Sequence, residues 1–345
     1  MRHPSIQRIV SFAIIAAVGS LLAACSSFGA KTAAAPYDYY RIGNVESPTP
    51  GRVQGGLMLL GGGDWPYDAF HWLFDRAGNG HIVVLRASYA DENQQEMYEK
   101  IGGVASVETL VFHDRKASFD PRVLAVIAHA DGIWIAGGDQ SNYVRDWKGT
   151  PVEDAINRHV ASGKPLGGTS AGLAVQGRYV YGAMDGGSLT SKESLADSRT
   201  GAITLVEDFL RFEPLYSAGV ITDTHFDARD RQARLITMMA HLQESHPGAP
   251  LLGIGVDEQT ALCIDADGSG RIFTANNGHA WLFRAGRSTL RKNGPVVAEA
   301  WHVTGAGRDS RIDTRDWSVS NPAFQSTVDI RDGRLEYTPA IPRHP

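Results

Sequence analysis

Ser170 stands in Gly168-Thr169-Ser170-Ala171-Gly172, a G-x-S-x-G pattern that follows Leu166 and Gly167. The pattern suits a nucleophile elbow, in which glycines allow strained backbone angles and close packing while the serine projects above a sheet. Alone, it would read as a glycine-rich loop. A serine nucleophile needs a base to take its proton and an acid to hold that base in one tautomer, and the three converge from separate parts of a chain. His225 is the best-placed candidate base among the twelve histidines, because it follows a predicted strand, and open α/β sheets gather their sites beyond the carboxyl ends of strands. Asp185, fifteen residues past the serine in Ala183-Met184-Asp185-Gly186-Gly187, is the expected acid, with Glu193 and Asp223 as rivals that spacing does not exclude.

The oxyanion of an acyl-transfer transition state must meet fixed backbone N–H groups, and the residue after an elbow nucleophile, here Ala171, commonly supplies one. A second donor can come from Gly137-Gly138-Asp139-Gln140, another turn at a predicted strand end. Downstream, Arg229, Arg231 and Arg234 open a predicted helix over 229–243 with Asp227 as its N-cap. Helical side chains lean toward the N-terminus, so Arg234 is expected to reach the site and grip a carboxylate with two parallel hydrogen bonds. Arg229 and Arg231 are expected only to solvate the helix face.

These residues need a scaffold, and the chain from Gly56 supplies its pattern: short apolar runs alternating with amphipathic segments, the signature of successive βα units around a mainly parallel sheet. Strands are predicted at 56–60, 81–86, 107–112, 132–136, 165–166 and 219–222, with helices from about Tyr67, near Gln94, from Asp120-Pro121 and over 151–161. Residues 179–204 mix aromatic, glycine and polar residues and suit a loop wall of the site. The segments 253–256, 261–265, 271–274 and 280–283 read as hairpins.

Arg2, Arg8, an apolar run over 9–24 and then Leu22-Ala23-Ala24-Cys25 read as a bacterial secretory signal. Its 16 apolar-run residues fall short of the roughly 20 that a membrane-spanning helix needs. Leu-Ala-Ala-Cys resembles the lipobox of bacterial lipoproteins, which implies lipidation of Cys25 and a membrane tether, and Ser26 resembles outer-membrane sorting. The domain plan is therefore a signal peptide over 1–24, a flexible tether over 25–51 and one α/β domain over 52–345 with a C-terminal β extension. With Cys25 lipidated, Cys263, the second of two cysteines, has no intramolecular partner. The formal net charge of −5 becomes more acidic once Arg2 and Arg8 leave, which excludes nucleic acid as a partner on grounds of charge.

Gly137 to Gln140, Gly168 to Gly172, and Asp223-Thr224-His225-Phe226 with the three arginines occur in an order that resembles the cyanophycinases of peptidase family S51. Gly253-Ile254-Gly255-Val256-Asp257-Glu258 resembles a further family segment, and the likeness runs from about Gly56 to Phe283. It implies a three-layer αβα sandwich similar to class I glutamine amidotransferases, and a serine exopeptidase that releases β-Asp-Arg from cyanophycin through an acyl-enzyme. Carried over by position, Ser170 is the nucleophile, His225 the base and Asp185 the acid, in place of what is often glutamate. Ala171 and Asp139 match the oxyanion-hole positions, Gln140 a substrate-binding glutamine and Arg234 the carboxylate clamp. The resemblance implies neither metal nor cofactor, and because the resembled enzymes are often dimers it admits a homodimer. An α/β-hydrolase esterase, an S51 aspartyl dipeptidase and a non-catalytic surface-binding lipoprotein are the alternatives.

Two motifs are set aside. Asp265-Ala-Asp267-Gly-Ser269-Gly270 matches the first half of an EF-hand loop, but Asn276 stands where the bidentate glutamate belongs and strands flank it, so a hairpin turn is expected. Gly61-Gly62-Gly63-Asp64 lacks the spacing of a phosphate loop and is expected to bring the first turn close to the site.

Overall fold

The computed structural model describes residues 35–87 and 93–341. The expected signal, Cys25 and the first part of the expected tether lie outside the described residues. The strands are β1 (Tyr37–Gly43), β2 (Gly56–Leu60), β3 (His81–Arg86), β4 (Ser106–Phe112), β5 (Gly132–Ile135), β6 (Leu166–Thr169), β7 (Tyr179–Tyr181), β8 (Leu205–Glu207), β9 (Val220–Asp223) and β10 (Leu252–Val256). They continue as β11 (Thr260–Asp265), β12 (Ser269–Thr274), β13 (Ala280–Arg284), β14 (Arg287–Thr289), β15 (Val297–Ala306), β16 (Arg311–Asp313), β17 (Ser318–Ser320), β18 (Phe324–Arg331) and β19 (Arg334–Thr338). The α-helices are α1 (Tyr67–Arg76), α2 (Asn93–Gln95), α3 (Pro121–His129), α4 (Gln140–Trp147), α5 (Pro151–Ala161), α6 (Ala171–Ala174), α7 (Ser191–Ala196) and α8 (Gln232–Ser245).

One sheet runs in the order β1-β4-β3-β5-β6-β2-β11-β12-β16-β17. Its centre, from β4 to β2, is parallel. These central strands are buried along nearly their whole length because both faces are covered, even where β4 carries Glu108 and Thr109. Leu57, Leu59, Val83, Leu85, Ile133 and Ile135 face one core with residues of α3 and α5, and the alternate residues Met58, Leu60, Ile82, Val84 and Trp134 face another with residues of α1. That alternation gives the helix, sheet, helix layering of an α/β sandwich. Asp120 caps α3 through the backbone N–H of Arg122, with Pro121 in the first turn, as the sequence predicts.

The second sheet runs β19-β18-β15-β13-β10-β9-β7-β8, with β14 paired to β15. Only β7, β9 and β10 are parallel neighbours in it.

Within the expected flexible tether, Tyr37–Gly43 is an edge strand paired antiparallel with β4 along seven residues, because Tyr37 packs on the core and Tyr39 hydrogen-bonds Glu108. Residues 253–256 are not a hairpin strand but β10, which follows α8 and lies parallel to β9, so they complete one more βα unit. The helix after His225 starts at Gln232 rather than Arg229, since Asp230 has φ of +46° and breaks the helical path.

Residues 260–274 form the expected hairpin, β11 and β12. Asp265 at its turn is held by Arg76 and Arg271. Cys263 is a free, buried thiol in β11, and burial pushes its pKa up.

Candidate active site

The elbow arises where β6 stops and α6 starts. Ser170 has φ +51° and ψ −116°, a strained region for a residue with a side chain, and strain of this kind costs on the order of 1–3 kcal/mol. Glycine is required around it, since a Cβ on Gly172 would stand 2.0 Å from the Ile135 carbonyl oxygen. The turn is fastened by the Ser170 N–H donating to the Leu60 carbonyl at 3.1 Å, and the Ser170 carbonyl accepts the first hydrogen bonds of α6, from Leu173 and Ala174.

His225 lies two residues beyond the end of β9, at φ +46°, and its N–H donates to the Gly61 carbonyl at 2.7 Å. Its Nε2 is 2.8 Å from Ser170 Oγ. Gly62 packs against the ring; with φ +113° and a hypothetical Cβ only 2.2 Å from His225 Cε1, this position admits no side chain. The expected close approach of the first turn to the site is therefore a contact with the histidine.

The third group differs from the expectation. Glu258 Oε1 is 2.5 Å from His225 Nδ1, whereas Asp185 is exposed and makes no hydrogen bond to His225. Asp185 sits in a loop whose neighbours Ala183, Gly186 and Gly187 line the pocket. The rivals are also engaged elsewhere: Glu193 forms a capping box with Thr190, and Asp223 pairs with Arg234. The signal for Glu258 lay in topology. Parallel strands β9 and β10 end side by side, with Asp223 opposite Gly255, so residues two past each strand end, His225 and Glu258, share one rim. Reading β10 as a hairpin strand hid that relation.

Asp257 fixes this rim. Only 4% exposed, it accepts from the N–H groups of Asp227 at 3.1 Å and His279 at 2.8 Å, and from Trp281 Nε1 at 3.0 Å. It thereby ties the turn after His225 to β13. Burial pushes its pKa up to about 6.

A cavity of about 270 Å³ opens beside Ser170, with Gly138, Asp139 and Gln140 on one wall and Arg229, Arg231 and Arg234 on another. Gly137 approaches so closely that a Cβ there would touch Ser170 Cβ at 3.4 Å. Asp139 caps α4 by accepting from Ser141 N–H, and Gln140 Nε2 donates to the Tyr181 carbonyl at 3.3 Å. Ala171 opens α6, so its N–H belongs to the first turn, whose donors have no partner within the helix.

The arginines reverse the expected division of roles. Arg234 is buried, and its guanidinium is committed: Nε donates to Asp223 Oδ2 at 2.8 Å, a terminal nitrogen to Asp223 Oδ1 at 2.5 Å, and another to the Leu189 carbonyl at 2.8 Å. It is not a free carboxylate clamp. Arg231 is only 7% exposed and donates to the Thr224 carbonyl and hydroxyl, so it does not merely solvate a helix face. Burial lowers its pKa to about 10, which leaves it cationic at neutral pH. Arg229 is exposed at the mouth and has no carboxylate partner among the described residues. Asp223 and Asp139 set two carboxylates against the three arginines, so the lining keeps one net positive charge.

Burial lowers the pKa of His225; the Glu258 hydrogen bond opposes that shift, while the Arg229 and Arg231 charges reinforce it. The imidazole is therefore neutral at pH 7, with Nε2 aimed at a hydroxyl and Nδ1 at a carboxylate. An arrangement of this kind can take the serine proton as the oxygen attacks a carbonyl.

Residues 85–272 match the model of peptidase family S51. The cyanophycinase of Trichormus variabilis is 30% identical over 239 residues, which cover 65% of this chain and 72% of that protein. That of Synechococcus elongatus is 34% identical over 194 residues, covering 55% and 54%. A solved peptidase structure from an acI-B1 Actinobacterium aligns with a TM-score of 0.49 at 18% identity, over 76% of this chain and 98% of that one.

Proposed function

The chain belongs to peptidase family S51 and is a serine-type peptidase, and on that premise we propose that it hydrolyses aspartyl peptide bonds of cyanophycin and releases β-Asp-Arg. The observation that carries the reading is the continuous line Ser170 Oγ, His225, Glu258 at 2.8 and 2.5 Å beside a cationic cavity. The names of the curated relatives support the choice of substrate.

Ser170 Oγ attacks the aspartyl carbonyl carbon while His225 Nε2 takes its proton, and Glu258 stabilises the imidazolium through Nδ1–H. The N–H groups of Ala171 and Asp139 receive the oxyanion, each donor of this type contributing about 10²- to 10³-fold in rate. His225 then passes the proton to the leaving amine as the carbon–nitrogen bond breaks. Water, deprotonated by the same imidazole, splits the acyl-enzyme and regenerates Ser170. Arg229, free of any carboxylate partner among the described residues, takes a substrate carboxylate in place of Arg234, whose pairing with Asp223 instead holds the wall in position. Gln140 contacts the bound unit from the opposite wall.

The lipid anchor on Cys25 and outer-membrane placement are part of the proposal, supported by the Leu-Ala-Ala-Cys-Ser sequence. A homodimer is carried from the resemblance and is checked by light scattering.

The mature protein incubated with cyanophycin and with a panel of α- and β-aspartyl peptides should yield β-Asp-Arg from the polymer, identified by mass spectrometry. Cleavage of Asp-X dipeptides without cleavage of the polymer would replace the reading by an aspartyl dipeptidase.

The pH profile carries a sign. His225 must be neutral to act, and its pKa is lowered, so kcat/KM stays high below pH 6.5 and falls only as the pH passes through the lowered value. Arg229→Gln removes a nearby cation that disfavours imidazolium, so the acid limb moves to higher pH while KM rises. An acid limb unmoved in that variant would remove Arg229 from the electrostatics of the base.

A further inference from the structure

A second cavity, of about 490 Å³, opens on the same edge of the large sheet as Ser170 and is lined by Trp65, Tyr67, Asp68, Phe273, Arg308 and Arg311 among others. The topology places it. β6, which delivers Ser170, neighbours β2, then β11, then β12. β11 runs antiparallel to β2, so Thr260 meets the end of β2, with Gly61 N–H donating to its carbonyl at 3.0 Å. β12 runs antiparallel to β11 and brings Thr274 opposite Thr260, on that same edge. Three strand spacings separate β6 from β12, about 14 Å, which an extended chain spans in about four residues.

The cavity holds unneutralised positive charge. Arg308 donates to the Thr274 carbonyl at 2.7 Å and Arg311 to the Ser310 carbonyl at 2.8 Å, and neither has a carboxylate partner among the described residues. Backbone carbonyls thus aim both guanidiniums without cancelling their charge. Arg271, also in the lining, differs, because Asp265 pairs with it at 2.7 Å. Asp68 and the rings of Trp65, Tyr67 and Phe273 supply an anionic and an aromatic wall. A cavity lined by both carboxylate-binding and cation-binding side chains fits a zwitterionic side chain, with the guanidinium placed near aromatic faces.

The geometry points to a distal subsite for a polymeric substrate: Arg308 and Arg311 bind the α-carboxylate of an arginine branch on an aspartate backbone, while Asp68 and the aromatic wall receive its guanidinium, about four residues from the bond at Ser170. Trp65, Tyr67, Asp68, Arg308 and Arg311 fall outside the family match over 85–272, so the side chains assigned to the ligand come from flanking segments, while Arg271 and Ile272 of the same lining lie inside the match. The inference rests on the proposed function for its ligand.

The test pairs the Arg308→Gln/Arg311→Gln double variant with the wild type on two substrates, cyanophycin and a two-unit fragment too short to reach the cavity. The expected result is a KM for the polymer about tenfold higher at unchanged kcat, with KM for the fragment as in the wild type. Equal polymer KM in both proteins, or an equal rise on the fragment, would overturn the subsite. A second arm does not need turnover: Ser170→Ala protein is sedimented with insoluble cyanophycin, with and without the two glutamines. Retention weakened about tenfold by the glutamines supports the subsite, and equal retention overturns it. Wild-type protein that cleaves neither substrate would sink the proposed function, while the sedimentation arm still decides the subsite.

Discussion

Ser170→Ala is expected to lower kcat on cyanophycin by about 10⁴- to 10⁶-fold, the loss seen when a serine nucleophile that acts as a unit with its base is removed. The mechanism has no second route to the acyl-enzyme, because the described cavity walls around Ser170 offer no other hydroxyl within hydrogen-bonding distance of His225 Nε2. Folding should be nearly untouched. The side chain is half-buried, its Oγ hydrogen-bonds only His225, and alanine meets the same strained backbone that serine does. Thermal denaturation within a few degrees of wild type, together with the lost turnover, checks both halves. Turnover of the polymer at wild-type rate by the alanine variant would end the mechanism.

Glu258→Gln is expected to lower kcat by about 10⁴-fold, the cost of leaving a catalytic histidine in the wrong tautomer with its imidazolium unsupported. The amide keeps the shape of the carboxylate but lacks its charge. It also moves the acid limb of the pH profile down, because the Glu258 hydrogen bond and charge both raise the His225 pKa. Asp185→Ala should stay within about twofold of wild type, as Asp185 is exposed and makes no hydrogen bond to the histidine. Parallel kinetics on the two variants separate the candidates. A large loss in Asp185→Ala with Glu258→Gln near wild type would reverse the assignment.

Much of the scaffold was legible because it obeys local rules. The apolar runs within β2, β3 and β5 are continuous since both faces are buried, the glycines around Ser170 answer to close approaches that no other residue permits, and Asp120-Pro121 announces a helix start. What sequence did not yield depended on contacts between distant segments. Glu258 was missed because its meaning comes from β10 lying parallel to β9, a pairing across α8 that a run of five residues does not encode. The arginines were misassigned for the same reason: one residue at positive φ, Asp230, shortens the helix and leaves Arg229 and Arg231 on a turn facing the site, while Arg234 meets Asp223. The edge strand β1 was hidden by composition, since Tyr37, Tyr39 and Tyr40 stand among polar residues without the aliphatic pattern of a core strand.

The central claim is that Ser170 is a nucleophile activated by His225 and Glu258. Its most direct measurement is the intact mass of the folded protein after treatment with a serine-directed fluorophosphonate, followed by peptide mapping. One adduct per chain is expected, located on Ser170 and suppressed in His225→Ala. A wild-type protein that gains no adduct, or gains it on another residue, would contradict the account.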